Sequence, residues 1–151
     1  MALRTIRTVG DDMLRKMCRE VEQVDDRIRN LLSDMAETMY NTKNGAGLAA
    51  PQIGILKRLV VIDMGDGLVN LVNPEIIEKS GNHEVVEGCL SVPGRWGKVK
   101  RPKKVKVKAL NEKGEEVIIS ADGEYAKCLC HEIDHLDGIL FIDKVTEYVD
   151  L

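Results

Sequence analysis

No apolar run in this chain approaches the length of a membrane span, and its first residues, Met1-Ala2-Leu3-Arg4-Thr5-Ile6-Arg7, lack the apolar core of an export signal. Aromatic residues are scarce: one Trp, one Phe and three Tyr. The basic stretch 98–108 therefore has none interleaved for stacking on bases. A charge excess is missing as well, since 22 Lys and Arg face 25 Asp and Glu for a net −3. Neither a nucleic-acid binder nor a membrane-surface protein is implied. No internal repeat, low-complexity tract or Pro/Gly-rich linker divides the 151 residues, so one domain over 1–151 is expected, with 44% hydrophobic content to fill its core. Four Cys without an export signal read as thiols or ligands of a cytoplasmic protein, not as a disulfide framework.

What is present has clear periodicity. Ile28, Leu31, Leu32, Met35 and Met39 fall on one helical stripe, which predicts an amphipathic helix over 24–42, capped by Asp25 or Asp26 and stopped at Asn44-Gly45. Residues 59–62 and 68–72 read as strands around Gly65-Asp66-Gly67, and 105–110 and 116–120 flank a second turn at Glu112-Lys113-Gly114. A second helix is predicted over 123–136, ended by Asp137-Gly138. Hairpins in the middle and helices towards both ends point to an α+β fold of antiparallel strands around the second helix. The stretch 98–108 is expected to be a strand whose lysines discourage edge pairing, with contact to ribosomal RNA as the alternative. Trp96 is expected in a Gly-bounded loop.

That second helix carries His131-Glu132-Ile133-Asp134-His135. Two imidazoles four residues apart share one helix face, and Glu132 lies about 100° away, suited to a water beside a metal. A catalytic metal takes three protein ligands and keeps a position open, so one more is needed. Glu147 is the best acid among the 16 residues after His135, with little structure to carry it back. Thiolates are better candidates. Cys130 lies about 100° from His131 and misses the face, whereas Cys128 is three residues before His131 and allows a closed, structural site. Cys89, in Glu87-Gly88-Cys89-Leu90-Ser91, is preferred because its Gly neighbour permits close backbone approach. Cys18, Cys128 and Cys130 are read as buried thiols.

A third segment, Gly45-Ala46-Gly47-Leu48-Ala49-Ala50-Pro51-Gln52, has little side-chain bulk and suits a backbone that pairs with an extended peptide. It lacks the Gly-Lys-Ser/Thr ending of a phosphate loop.

Taken in order, these three segments closely resemble the signature motifs of the peptide deformylases. The resemblance implies removal of the formyl group from the N-terminal formylmethionine of nascent polypeptides. It implies Cys89, His131 and His135 as metal ligands, Glu132 as acid/base, and Gln52 with the backbone amide of Leu90 as oxyanion donors. Gly45, Ala46, Gly47 and Gly88 match positions that bind the peptide backbone or shape the methionine pocket. One divalent metal is implied, Fe(II) in the cell with Zn(II), Ni(II) or Co(II) able to substitute, together with formylmethionyl peptides and transient ribosome contact as partners. This chain departs from the pattern at Cys130, where relatives often have Gln, at Ala46, often a larger aliphatic, and at Glu124 and Lys127, often apolar. Val9-Gly10 stands where a Pro is common, and the longer C-terminal helix of some members is not expected after Leu151.

Overall fold

Asp25 begins the first helix: its carboxylate accepts from the Ile28 N–H and caps α1 (Asp26–Tyr40), satisfying one of the donors a helix start leaves free. The computed structural model describes residues 2–43 and 45–150. Asn41 takes the C-cap, its N–H reaching the Glu37 carbonyl, so the helix is two residues shorter at each end than its periodicity suggests. Of the expected stop, Gly45 follows the helix and Asn44 lies outside the described residues.

Five antiparallel strands form the larger sheet: β1 (Gly47–Ala49), β2 (Leu59–Ile62), β3 (Val69–Ser80), β6 (Lys104–Leu110) and β7 (Glu116–Asp122), adjacent in that order. A smaller sheet orders β4 (His83–Cys89), β5 (Val92–Arg101) and β8 (Val145–Val149). Between them runs α2 (Gly123–Leu136), which touches strands of both. Alternation sorts the core. Leu59 and Val61 pack with Ile28, Leu32 and Met35 of α1, while Val60 and Ile62 turn the other way onto Leu129 and Ile133 of α2. This is why β2 is buried on both faces and reads as an unbroken apolar run. A third cluster, with Val85, Val99, Leu140 and Phe141, fills the smaller sheet. The fold is mixed α+β, with antiparallel sheets and two helices. Among the described residues no helix is long and apolar enough to cross a membrane.

Two local expectations are corrected. The stretch 98–108 is not one strand: it breaks at Pro102-Lys103 between β5 and β6, which belong to different sheets. β6 is interior, between β3 and β7, so its lysines guard no edge; Lys106 pairs with Glu78 and Lys108 with Glu116. Trp96 lies on β5, opposite Val149 of β8, not in a loop.

Candidate metal centre and peptide cleft

One turn of α2 separates His131 from His135, and their ring centroids lie 5.0 Å apart. Cys89 reaches them from the end of β4, where a register shift between Glu87 and Cys89 and the tight turn at Leu90-Ser91 bring the chain back into β5. Its Sγ is 3.3 Å from His135 Nε2. Ligand atoms of the three residues lie within 4.8 Å of one another, the one such Cys/His/Asp/Glu group among the described residues.

Behind the triad stands a buried ion pair. His131 Nδ1 is 2.7 Å from Glu87 Oε1, which leaves Nε2 for the cluster. Arg101 donates from Nε to Glu87 Oε2 at 2.6 Å, from Nη2 to Oε1 at 2.9 Å, and from Nη1 to Asp134 Oδ2 at 2.7 Å. Burial alone raises the Glu87 carboxyl, but hydrogen bonds from Arg101 and His131 win and hold it at about 2. A carboxylate orienting an imidazole is the arrangement that sharpens a metal ligand. Burial opposes charge on His131, yet hydrogen bonds to Cys89 and Glu87 outweigh it and raise its pKa well above the usual value. Burial holds His135 far below its usual pKa, as the neutral imidazole a metal requires.

Glu132 is 5% exposed, its Oε1 has no hydrogen-bond partner within the protein, and burial pushes its pKa up to about 7. That is the range for a group that takes and returns a proton near neutrality. Gly47 packs directly against it: a Cβ there would lie 2.8 Å from Glu132 Oε2. Gln52, on the short 3-10 turn Ala50–Ile53 after β1, accepts from the Ala49 N–H at 2.9 Å and donates from Nε2 to Ser91 Oγ at 3.1 Å, with Cys89 Sγ at 3.6 Å. The N-terminal segment ties both turns down, Arg7 N–H to the Gln52 carbonyl and Val9 N–H to the Ser91 carbonyl.

These groups open into a cavity of about 380 Å³ bounded by Gly45, Ala46 and Gly47 on one side and Gly88, Cys89 and Leu90 on the other, with Trp96 lining it as well. β1 is one edge strand of its sheet and β4 one edge strand of the other. Gly88 is forced by Trp96, whose ring would lie 2.4 Å from a Cβ at that position. A larger hollow of about 720 Å³, between β3, β6, β7 and Tyr125, carries neither thiol nor imidazole.

The competing ligands lie elsewhere. Glu147 is on β8, paired with Lys98. Cys128 lines the cavity but is not in the cluster, and Cys18 and Cys130 are core. Burial pushes the thiol of Cys18 up to about 11 and those of Cys128 and Cys130 upwards too. Sequence reasoning gives no role to Ser91 or to the Glu87–Arg101 pair. The available signal is strand alternation, which turns Glu87 inward with Val85, and Arg101 inward with Val99.

The family model described as Polypeptide deformylase matches residues 3–150. The chain belongs to that family. Peptide deformylase 2 of Clostridium acetobutylicum is 62% identical over 149 residues, covering 99% of each chain. The peptide deformylase of Acetivibrio thermocellus is 58% identical over 150 residues, 99% of this chain and 88% of that one. Among solved structures, the peptide deformylase of Legionella pneumophila superposes with a TM-score of 0.92 at 46% identity, covering 96% of this chain and 87% of that one. That of Ehrlichia chaffeensis, solved in complex with actinonin, gives 0.93 at 40% identity, covering 97% and 90%. The family is metal-dependent. One thiol and two imidazoles whose ligand atoms lie within 4.8 Å of one another fit a divalent cation with a coordination position to spare.

Proposed function

We propose that Cys89, His131 and His135 hold the metal, that α2 is the metal-binding helix, and that residues 1–151 form one catalytic domain. The activity is the family's own: a metal-dependent hydrolase removes the N-formyl group from the N-terminal formylmethionine of nascent polypeptides and releases formate. Fe(II) is the proposed metal in the cell, with Zn(II), Ni(II) or Co(II) able to replace it. When bound, such a cation supplies Lewis acidity, lowering the pKa of water and polarising a carbonyl oxygen.

The protein's own groups do the rest. Glu132 takes the proton of the attacking water as oxygen adds to the formyl carbon, then delivers a proton to the amine as the C–N bond breaks. Gln52 Nε2 and the Leu90 backbone amide donate to the formyl oxygen as negative charge grows on it. Gly45, Ala46, Gly47 and Gly88 leave room for the peptide backbone, which pairs along the free edges of β1 and β4. A cytoplasmic location and transient, salt-sensitive contact with the ribosome belong to the same reading.

The observation that carries it is the clustering of Cys89, His131 and His135 beside an unpartnered buried carboxylate and an amide donor turned towards Cys89. The test is anaerobic formate release from formyl-Met-Ala-Ser by protein loaded with Fe(II) or Ni(II). Glu132→Gln is expected to keep its metal and lose about 10²–10⁴ in kcat, and unformylated Met-Ala-Ser should stay intact. Normal turnover by that variant would remove Glu132 from its role; cleavage of internal peptide bonds would indicate a peptidase.

A further inference from the structure

The wall of the cleft carries a charged group that hydrolysis of the formyl bond does not use. Glu124, Lys127 and Cys128 precede His131 on α2 by helical steps of three and four, and all four line the cavity together with Ala46. Lys127 Nζ lies 2.6 Å from the Glu124 carboxylate and donates to the Val86 carbonyl oxygen of β4 at 3.4 Å. The Lys127 side chain is only 22% exposed, whereas that of Glu124 is 68% exposed. The ammonium's ionic partner is thus mostly solvated, and the pair is weak. An ammonium has three donors, and its one hydrogen bond among the described residues is to the Val86 carbonyl, with Glu124 as an ion-pair partner.

A lysine in this setting offers two surfaces at once. Its four-carbon stem is an apolar wall, suited to a thioether, and its head is a strong donor at the end of that wall. Ala46, which lines the same cavity, has only a methyl group, which leaves space for a longer or bulkier tip. In a purely apolar pocket, an acceptor at the tip of the first side chain would be buried without a partner and penalised.

We propose that Lys127 is a specificity-determining residue that admits a first side chain ending in a hydrogen-bond acceptor, extending the substrate range from formylmethionine to formylmethionine sulfoxide. Among acceptor-tipped side chains the sulfoxide is the nearest to methionine, with the same chain and one added oxygen. Lys127 donates to that oxygen, while its stem packs against the methylenes. This rests on the deformylase reading of the cleft.

The experiment compares kcat/KM for formyl-Met-Ala-Ser and for the same peptide bearing methionine sulfoxide, in Ni(II)-loaded parent protein, Lys127→Met and Glu124→Gln. The sulfoxide-to-thioether ratio is expected within about threefold of unity in the parent, and about tenfold lower in Lys127→Met, the loss of one charged hydrogen bond. Glu124→Gln, which frees the ammonium, should raise the ratio. Calorimetric binding of the two deformylated peptides reads the preference for the first side chain without turnover, and Lys127→Met is expected to weaken the sulfoxide peptide selectively. A general structural role would not move the ratio in opposite directions in the two variants. A ratio that Lys127→Met leaves within about twofold of the parent, or a parent protein that rejects the sulfoxide about a hundredfold, overturns the proposal. Parent protein that releases no formate even from formyl-Met-Ala-Ser overturns the deformylase reading, and this proposal with it.

Discussion

A carboxamide can face either way, and at Gln52 the surroundings decide. The Ala49 N–H donates to Oε1, so Nε2 is turned towards Ser91 and Cys89, the orientation that the proposed oxyanion role requires. Gln52→Leu is expected to lower kcat about 10²–10³-fold while metal content, measured alongside formate release, stays stoichiometric. The residue is legible in sequence because it ends a run with almost no side chains. Ser91, which receives Nε2, is not, since a serine in a turn has many ordinary uses. Arg101 is harder still: within 98–108 it is one cation among several, and only inward alternation with Val99 separates it from the exposed Lys100. The His pair and Cys89 are readable because imidazoles and a thiol at those spacings have few other purposes.

The N-terminal segment acts as an element without regular structure. Ala2 N–H and the Arg4 guanidinium both donate to the Asp34 carboxylate on α1, and Arg7 and Val9 bond to the turns carrying Gln52 and Ser91. The Arg4 hydrogen bonds hold the Asp34 carboxyl below its ordinary range, against burial, with Ala2 assisting. A lowered folded pKa means that the stabilisation is complete above the ordinary value of about 3.9 and is lost as pH falls through the folded one. Asp34→Asn should therefore lower Tm at pH 7, with the gap to the parent closing below about pH 3.9; thermal denaturation at both pH values checks this, and a pH-independent gap would refute it. Among the regular elements, β2 and α2 follow their sequence signals residue for residue. β4 and β5 do not, because Gly88, Pro93, Gly94 and Gly97 break their patterns and only pairing with each other restores extended structure. β8 alternates weakly and gains its order from β5.

Across the molecule, the Glu87–Arg101–Asp134 group joins the smaller sheet to α2 and so fixes Cys89 relative to the two His. Arg101 and Glu87 are each 2% exposed, so removing the cation strands a buried carboxylate. Arg101→Met is expected to cost about 3–5 kcal/mol in denaturant unfolding and to weaken metal binding about 10–100-fold in chelator competition. Stability falling with unchanged metal affinity would confine Arg101 to holding the layers together. The same small sheet has one further consequence. Its Trp96, 38% exposed, packs over Gly88 at the edge of the cleft and is the chain's one indole. The ultraviolet emission that tryptophan gives therefore comes from that spot alone, and the protein carries its own optical label at the mouth of the cleft, with no dye attached and no second emitter of its kind to subtract.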